Sequence, residues 1–218
     1  MRATCFMKVP VSEFQKRFER LQKLMKNAKS MEEHLFEHDD RTTAIMATGI
    51  IEDLLAISIM HKFRREPSEN QIADLFTGYG PLASLSARAS LAFLLGIIGH
   101  DAAHDIKVIR RVRNEFAHVI EPITFESEEV ASPCQSLKLH SKMRPDLEQK
   151  AGKGPRGKFI HSVMRIFTEI TAHALVTIEE NKLLSAHRDE IRGRVNAAIA
   201  EQNKRASARL KPTSDKSR

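Results

Sequence analysis

The chain has 218 residues, 41% hydrophobic and 29% charged, a globular mixture able to bury one sizeable core. Nine Gly, eight Pro, one Tyr and no Trp favour helix over sheet, because the many Leu, Ala, Lys, Arg and Glu lose little rotamer freedom in a helix. The formal charge of +7 is confined to two stretches, 138–158 and 188–218, each carrying +5, so the remaining −3 excludes a basic, nucleic-acid-attracting body.

Cys5 and Cys134 are too few for a disulfide framework and fit a reducing cytoplasm. The N-terminus MRATCFMKVPV lacks the apolar centre of a signal peptide. The run LAFLLGIIG is about half as long as the roughly 20 residues of a membrane span. A soluble, cytoplasmic protein with no membrane partner is expected.

In chain order, Phe14, Phe18, Leu21, Met25, Ala28 and Leu35 recur at steps of four and three, with Glu32 interrupting. They predict an amphipathic helix over 12–37, capped by Ser12, whose stripe faces a core. A second helix starts at Asp39 or Asp40, where a carboxylate accepts orphan N–H groups, and runs through TTAIMATGIIEDLLAISIMHKF. Apolar on nearly every side, it belongs at the centre of the domain. Pro67 and Ser68 mark a break before a short helix QIADLF.

TGYGPL then reads as a rigid turn in which Gly78 and Gly80 take positive φ and Pro81 fixes its own. No Walker lysine follows, so it is not a phosphate loop. SLSARASLAFLLGIIG predicts another apolar helix, capped by Ser84 and closed by Gly99, followed by a helix over 101–118 with His100 outside it. A short helix is expected around 130–141, a mobile basic loop at about 142–158, and a last long helix from 159. Its inner face carries Phe159, Val163, Ile166, Phe167, Ile170, Ala174 and Ile178. The domain reading is one helical unit over 1–187, then a basic frayed helix and disordered tail over 188–218.

Chemistry concentrates in IRRVRNEFAH, residues 109–118. Arg113 and His118 stand about 140° apart at 100° per residue, so they cannot meet within one regular helix. They meet only if the helix end lets His118 swing back, or if a two-fold dimer sets one chain's Arg against the other's His. Asn114, one turn before His118, can hold the imidazole in one tautomer. Arg113 projects with Ile106, Ile109 and Phe116, and Arg88 lies in an apolar helix; a buried guanidinium needs a partner. The acids of the other apolar helix, Glu52 and Asp53, are the expected partners, forming a structural polar cluster of Glu52, Asp53, Arg88 and Arg113. HDAAH, residues 100–104, imitates a zinc-protease pattern but has Asp where the general base is Glu, and no third ligand falls at the right spacing. No metal and no cofactor is expected. Without aromatics in the basic tail, nucleic-acid contact is weak and non-specific at most.

GYGPLASLSARASLAFLLGIIG followed by IRRVRNEFAH resembles the mannitol-operon repressor family, with Gly78, Gly80, Pro81, Leu82, Leu85, Ser86, Arg88, Leu91, Gly96 and Ile98 at the motif positions, then Arg113 and His118. The resemblance implies an all-α, single-domain helical bundle and a cytoplasmic transcriptional regulator. It also implies an interaction module without a DNA-binding domain, working through a protein partner such as a DNA-binding transcription factor; a homodimer is the expected assembly. RNEFAH is also similar to the Arg-x4-His motif of the HEPN superfamily. That likeness implies the alternative, a metal-independent endoribonuclease in which His118 does acid–base work on a ribose 2′-hydroxyl, Asn114 orients it and Arg113 stabilises the transition state. The preferred reading is the non-enzymatic regulator.

Overall fold

In a computed structural model of the chain, residues 28–63, 65, 67–119, 121–142 and 152–209 are described, with Glu19, Lys23 and Lys26 as isolated helical positions. The expected Ser12 cap and most of the 12–27 stripe, Cys5, residues 143–151 of the basic loop and the tail from 210 lie outside the described residues. The elements are α1 (Ala28–Glu37), α2 (Asp40–His61), α3 (Glu69–Phe76), α4 (Leu85–Leu94), α5 (His100–His118), α6 (Glu128–Gln135), a 3-10 turn (Leu139–Lys142) and α7 (Pro155–Arg209). Among the described residues there is no strand, and the architecture is all-α.

Helix α2 is the central element, packed against α4 and α5. Asp39 caps it, accepting from the Thr42 hydroxyl at 2.6 Å and the Thr42 amide at 3.0 Å. These bonds, the hydroxyl's first, hold the carboxyl of Asp39 below its ordinary value. Ile51, Leu54, Leu55 and Ile59 are fully buried. By length and hydropathy α2 could cross a membrane, which the attention to LAFLLGIIG overlooked; 67% of its most apolar window is covered by the rest of the fold. From α5, Ile106, Ile109, Val112 and Phe116 meet it in the core. Phe116, Phe125 and Phe159 continue as a chain of ring contacts about 5 Å between centroids.

Several boundaries differ from expectation. Helix α4 ends at Leu94, not near Gly99, because Gly96 at φ 69° closes it. The Gly96 amide bonds Phe93 O and the Ile97 amide bonds Ala92 O, the paired bonds of a Schellman stop. Helix α4 is also not buried all round: Leu94 is 78% exposed. Helix α5 takes in His100, and the Gly99 amide at its start, with no side-chain cap of its own, donates to Glu169 of α7 at 2.5 Å. The helix expected around 130–141 is two pieces. Fully buried Asp105 accepts the Lys138 and Leu139 amides and so fixes the start of the 3-10 turn.

Helix α7 begins at Pro155, four residues before the expected 159, so the end of the expected loop is helical. Proline suits this first position, since its missing N–H would be unsatisfied there anyway. Phe159, Val163, Ile166, Phe167, Ile170 and Ala174 are buried as the periodicity predicts. The chain falls into two units divided after Leu175, inside α7, whereas the expectation set the boundary at 187. In the second unit α7 runs on to Arg209 with Leu183, Leu184, Ile191, Val195 and Ile199 exposed.

Candidate functional site

The turn between α3 and α4 is built by close approach. Gly78 takes φ 58°, as expected of a turn glycine, but Gly80 does not have a positive φ. A Cβ on Gly80 would stand 2.3 Å from the Asp74 carbonyl oxygen, so glycine is needed there for space. Leu82 N bonds Leu75 O at 2.8 Å and Gly80 N bonds Thr77 O at 2.9 Å, folding Pro81 and Leu82 back against the end of α3. Ser86 lies half-buried in the first turn of α4.

Arg88 locks this turn to two helices. Its Nε donates to Leu82 O at 2.7 Å, its Nη2 to Phe76 O at 2.9 Å and its Nη1 to Glu52 O at 3.1 Å. The guanidinium also sits 5.5 Å from the centroid of the Phe76 ring. The acceptors of these three bonds are main-chain carbonyls, whereas the sequence had pointed to the carboxylates of Glu52 and Asp53. A helix end, a turn and α2 present acceptors that a planar fork of donors meets together.

The second arginine meets the side chain of the same glutamate. Arg113 Nη2 lies 3.5 Å from Glu52 Oε1, each side chain about one-third exposed. Glu52 therefore touches Arg88 through its main chain and Arg113 through its carboxylate, linking α2, α4 and α5. Asp53, the next residue, is half-buried.

At the other end of the motif, α5 closes at His118, which is exposed. Among the described residues the His118 side chain has no hydrogen-bond partner, Arg113 included; Asn114 is half-buried one turn before it. Within one chain, no hydrogen bond links the arginine of this motif to its histidine, and the arginine meets Glu52 instead. The chain leaving α5 is held by a residue the sequence did not single out: Arg41 of α2 donates to Val119 O at 2.8 Å and Glu121 O at 3.3 Å.

Other missed residues act in the same way. Arg156, in the first turn of α7, donates to Phe36 O at 3.2 Å and His38 O at 2.6 Å, closing the end of α1, and its Nε lies 3.1 Å from Asp40. Asp40 in turn accepts the Phe125 amide at 2.9 Å. Asp105, which holds the Lys138 and Leu139 amides, did leave a sequence signal: it is an acid in register with the buried positions Ala102, Ile109 and Val112 of α5.

The histidines of HDAAH go separate ways. His100 stands edge-on to Phe93 at 5.0 Å, and His104 Nδ1 lies 3.0 Å from Asp105. Among the described residues no group of three His, Cys, Asp or Glu is placed to hold a metal ion. Burial pushes the Cys134 thiol up to about 12, with Lys158 pulling weakly the other way, so it stays protonated near neutrality.

A family model described as mannitol repressor matches residues 27–177 of the chain. Mannitol operon repressors from two strains of Escherichia coli are each 25% identical over 107 residues, covering 48% of this chain and 55% of theirs. The chain thus spans about half the length of the curated relatives it matches. Among solved structures, it is similar to the X-ray structure of the MtlR–HPr complex from Escherichia coli, with TM-score 0.51 and 20% identity over 65% of this chain and 99% of that one. At that identity the likeness concerns the fold.

Proposed function

The chain belongs to the mannitol repressor family, and from that premise we propose that it is a cytoplasmic, homodimeric regulator of transcription that acts by binding a protein partner and has no DNA-binding element of its own. The observation that carries this reading is the extent of the family match, which takes in α1 to α6 and α7 as far as Thr177. A protein partner is supported by the structural neighbour, which is itself a complex with HPr. An HPr-type protein is therefore the first candidate here, and a DNA-binding transcription factor the second. The site adds support from the other side. Arg113 is engaged with Glu52 and makes no hydrogen bond with His118, which favours a structural use of the motif over ribonuclease chemistry.

The test is calorimetric titration of the purified chain with HPr from the same cell, beside gel-shift titration with promoter DNA. Saturable protein binding with DNA binding that salt abolishes is the expected result. Sequence-specific, salt-resistant DNA binding by the chain alone would overturn the proposal.

A further inference from the structure

Between α4 and α5 lies a cavity of about 350 Å³, within the roughly 300–1,000 Å³ range of small-molecule sites. Leu85, Ala89 and Phe93 of α4 and Ala103 and Ile106 of α5 form its apolar walls, and Leu94 adds to the lining. Leu94 is 78% exposed and Phe93 37% exposed, an unusual placing for side chains that water does not favour.

The charge of the lining has one sign. Lys107 and Arg110, three residues apart on α5, line the cavity, and no acid does. Both are exposed, and neither has an ion-pair or hydrogen-bond partner among the described residues. Their stems can lie along the apolar wall while the charged heads stay in water at the edge. The only other polar side chains in the lining are those of Ser86 and Ser90. A polyol, with a hydroxyl on every carbon, would leave most of its hydrogen bonds unmade here.

We propose that this cavity binds a small amphipathic organic acid, its apolar body between α4 and α5 and its carboxylate against Lys107 and Arg110. The bound body covers Phe93 and Leu94, and the acid supplies the negative charge the lining lacks. The site contains none of Glu52, Arg113, Asn114 or His118, so its test does not depend on the role of the Arg-x4-His motif.

The test is methyl NMR of the full chain titrated with octanoate, octanol and mannitol. Octanoate is expected to shift the Ala89, Ala103 and Ile106 methyls saturably, octanol to bind the same methyls more weakly, and mannitol to shift none of them. The double variant Lys107→Gln, Arg110→Gln changes only exposed side chains. It should weaken octanoate about tenfold or more, as expected for loss of charge-assisted hydrogen bonds, and leave octanol unchanged. The proposal is overturned if octanoate gives no saturable shifts, if the shifts map elsewhere, or if the double variant binds octanoate as well as the unaltered chain does.

Discussion

The carboxylate of Glu52 lies 3.5 Å from the guanidinium of Arg113, so the arginine of the Arg-x4-His motif is tied to the central helix rather than to the histidine that follows it. The same glutamate's carbonyl accepts from Arg88. Within one chain, Glu52 thus connects α2 to α4 through its carbonyl and to α5 through its carboxylate.

The two arginines should differ in cost. The Arg113–Glu52 pair is long and one-third exposed, so a double-mutant cycle with alanine at both positions should give a coupling of about 0.2–1 kcal/mol. Arg88→Ala leaves three carbonyls without that donor and should cost about 2–4 kcal/mol. Urea denaturation of the variants measures both, and a coupling as large as the Arg88→Ala loss would contradict the assignment.

Asp105→Ala should destabilise the fold by about 2–4 kcal/mol, since two amides lose a fully buried acceptor. Asp105→Asn keeps one acceptor oxygen and should cost less. Hydrogen exchange gives the local readout: the Lys138 and Leu139 amides should lose protection before the amides of α2 do.

Two glycines should respond in opposite directions. Gly49 is exposed within α2 and a Cβ there meets nothing within 4 Å, so Gly49→Ala should stabilise by about 0.5–1 kcal/mol. Gly80→Ala drives a methyl into the backbone of α3 and should lower the melting temperature. Thermal melts of the two variants check the pair.

Burial holds the His61 imidazole below its ordinary value of 6.5. The unfolded chain therefore takes up the proton first, and stability falls as pH drops below about 6.5 and levels off below the folded value. Above that window His61 contributes no pH dependence. His61→Gln removes the titrating group, so the difference between the wild-type and variant melting temperatures should change between pH 7 and pH 5. A constant difference across that range would contradict the burial argument.

Much of the fold was legible in the sequence because its burial pattern is strong. The all-round apolar α2 and the inner faces of α5 and α7 follow from periodicity alone, and the GYGPL motif carried the family. The end of α4 was hidden because Ile97 and Ile98 continue the apolar run past Gly96, where the backbone turns. The start of α7 was hidden because GKGPRGK is polar enough to pass for loop, although Pro155 suits a first helical position. Arg41, Arg88 and Arg156 hold main-chain carbonyls. A carbonyl has no letter in the sequence, so such contacts leave no pattern to read.

The proposed function has the protein act on transcription as an interaction module and not by chemistry at His118. Its most direct test measures transcripts of the sugar-alcohol genes in cells lacking the protein, then restored with the unaltered chain or with His118→Ala. Transcripts should rise in its absence, and both chains should restore repression equally. Unchanged transcripts in its absence, or a failure of His118→Ala alone to restore repression, would speak against the proposed function.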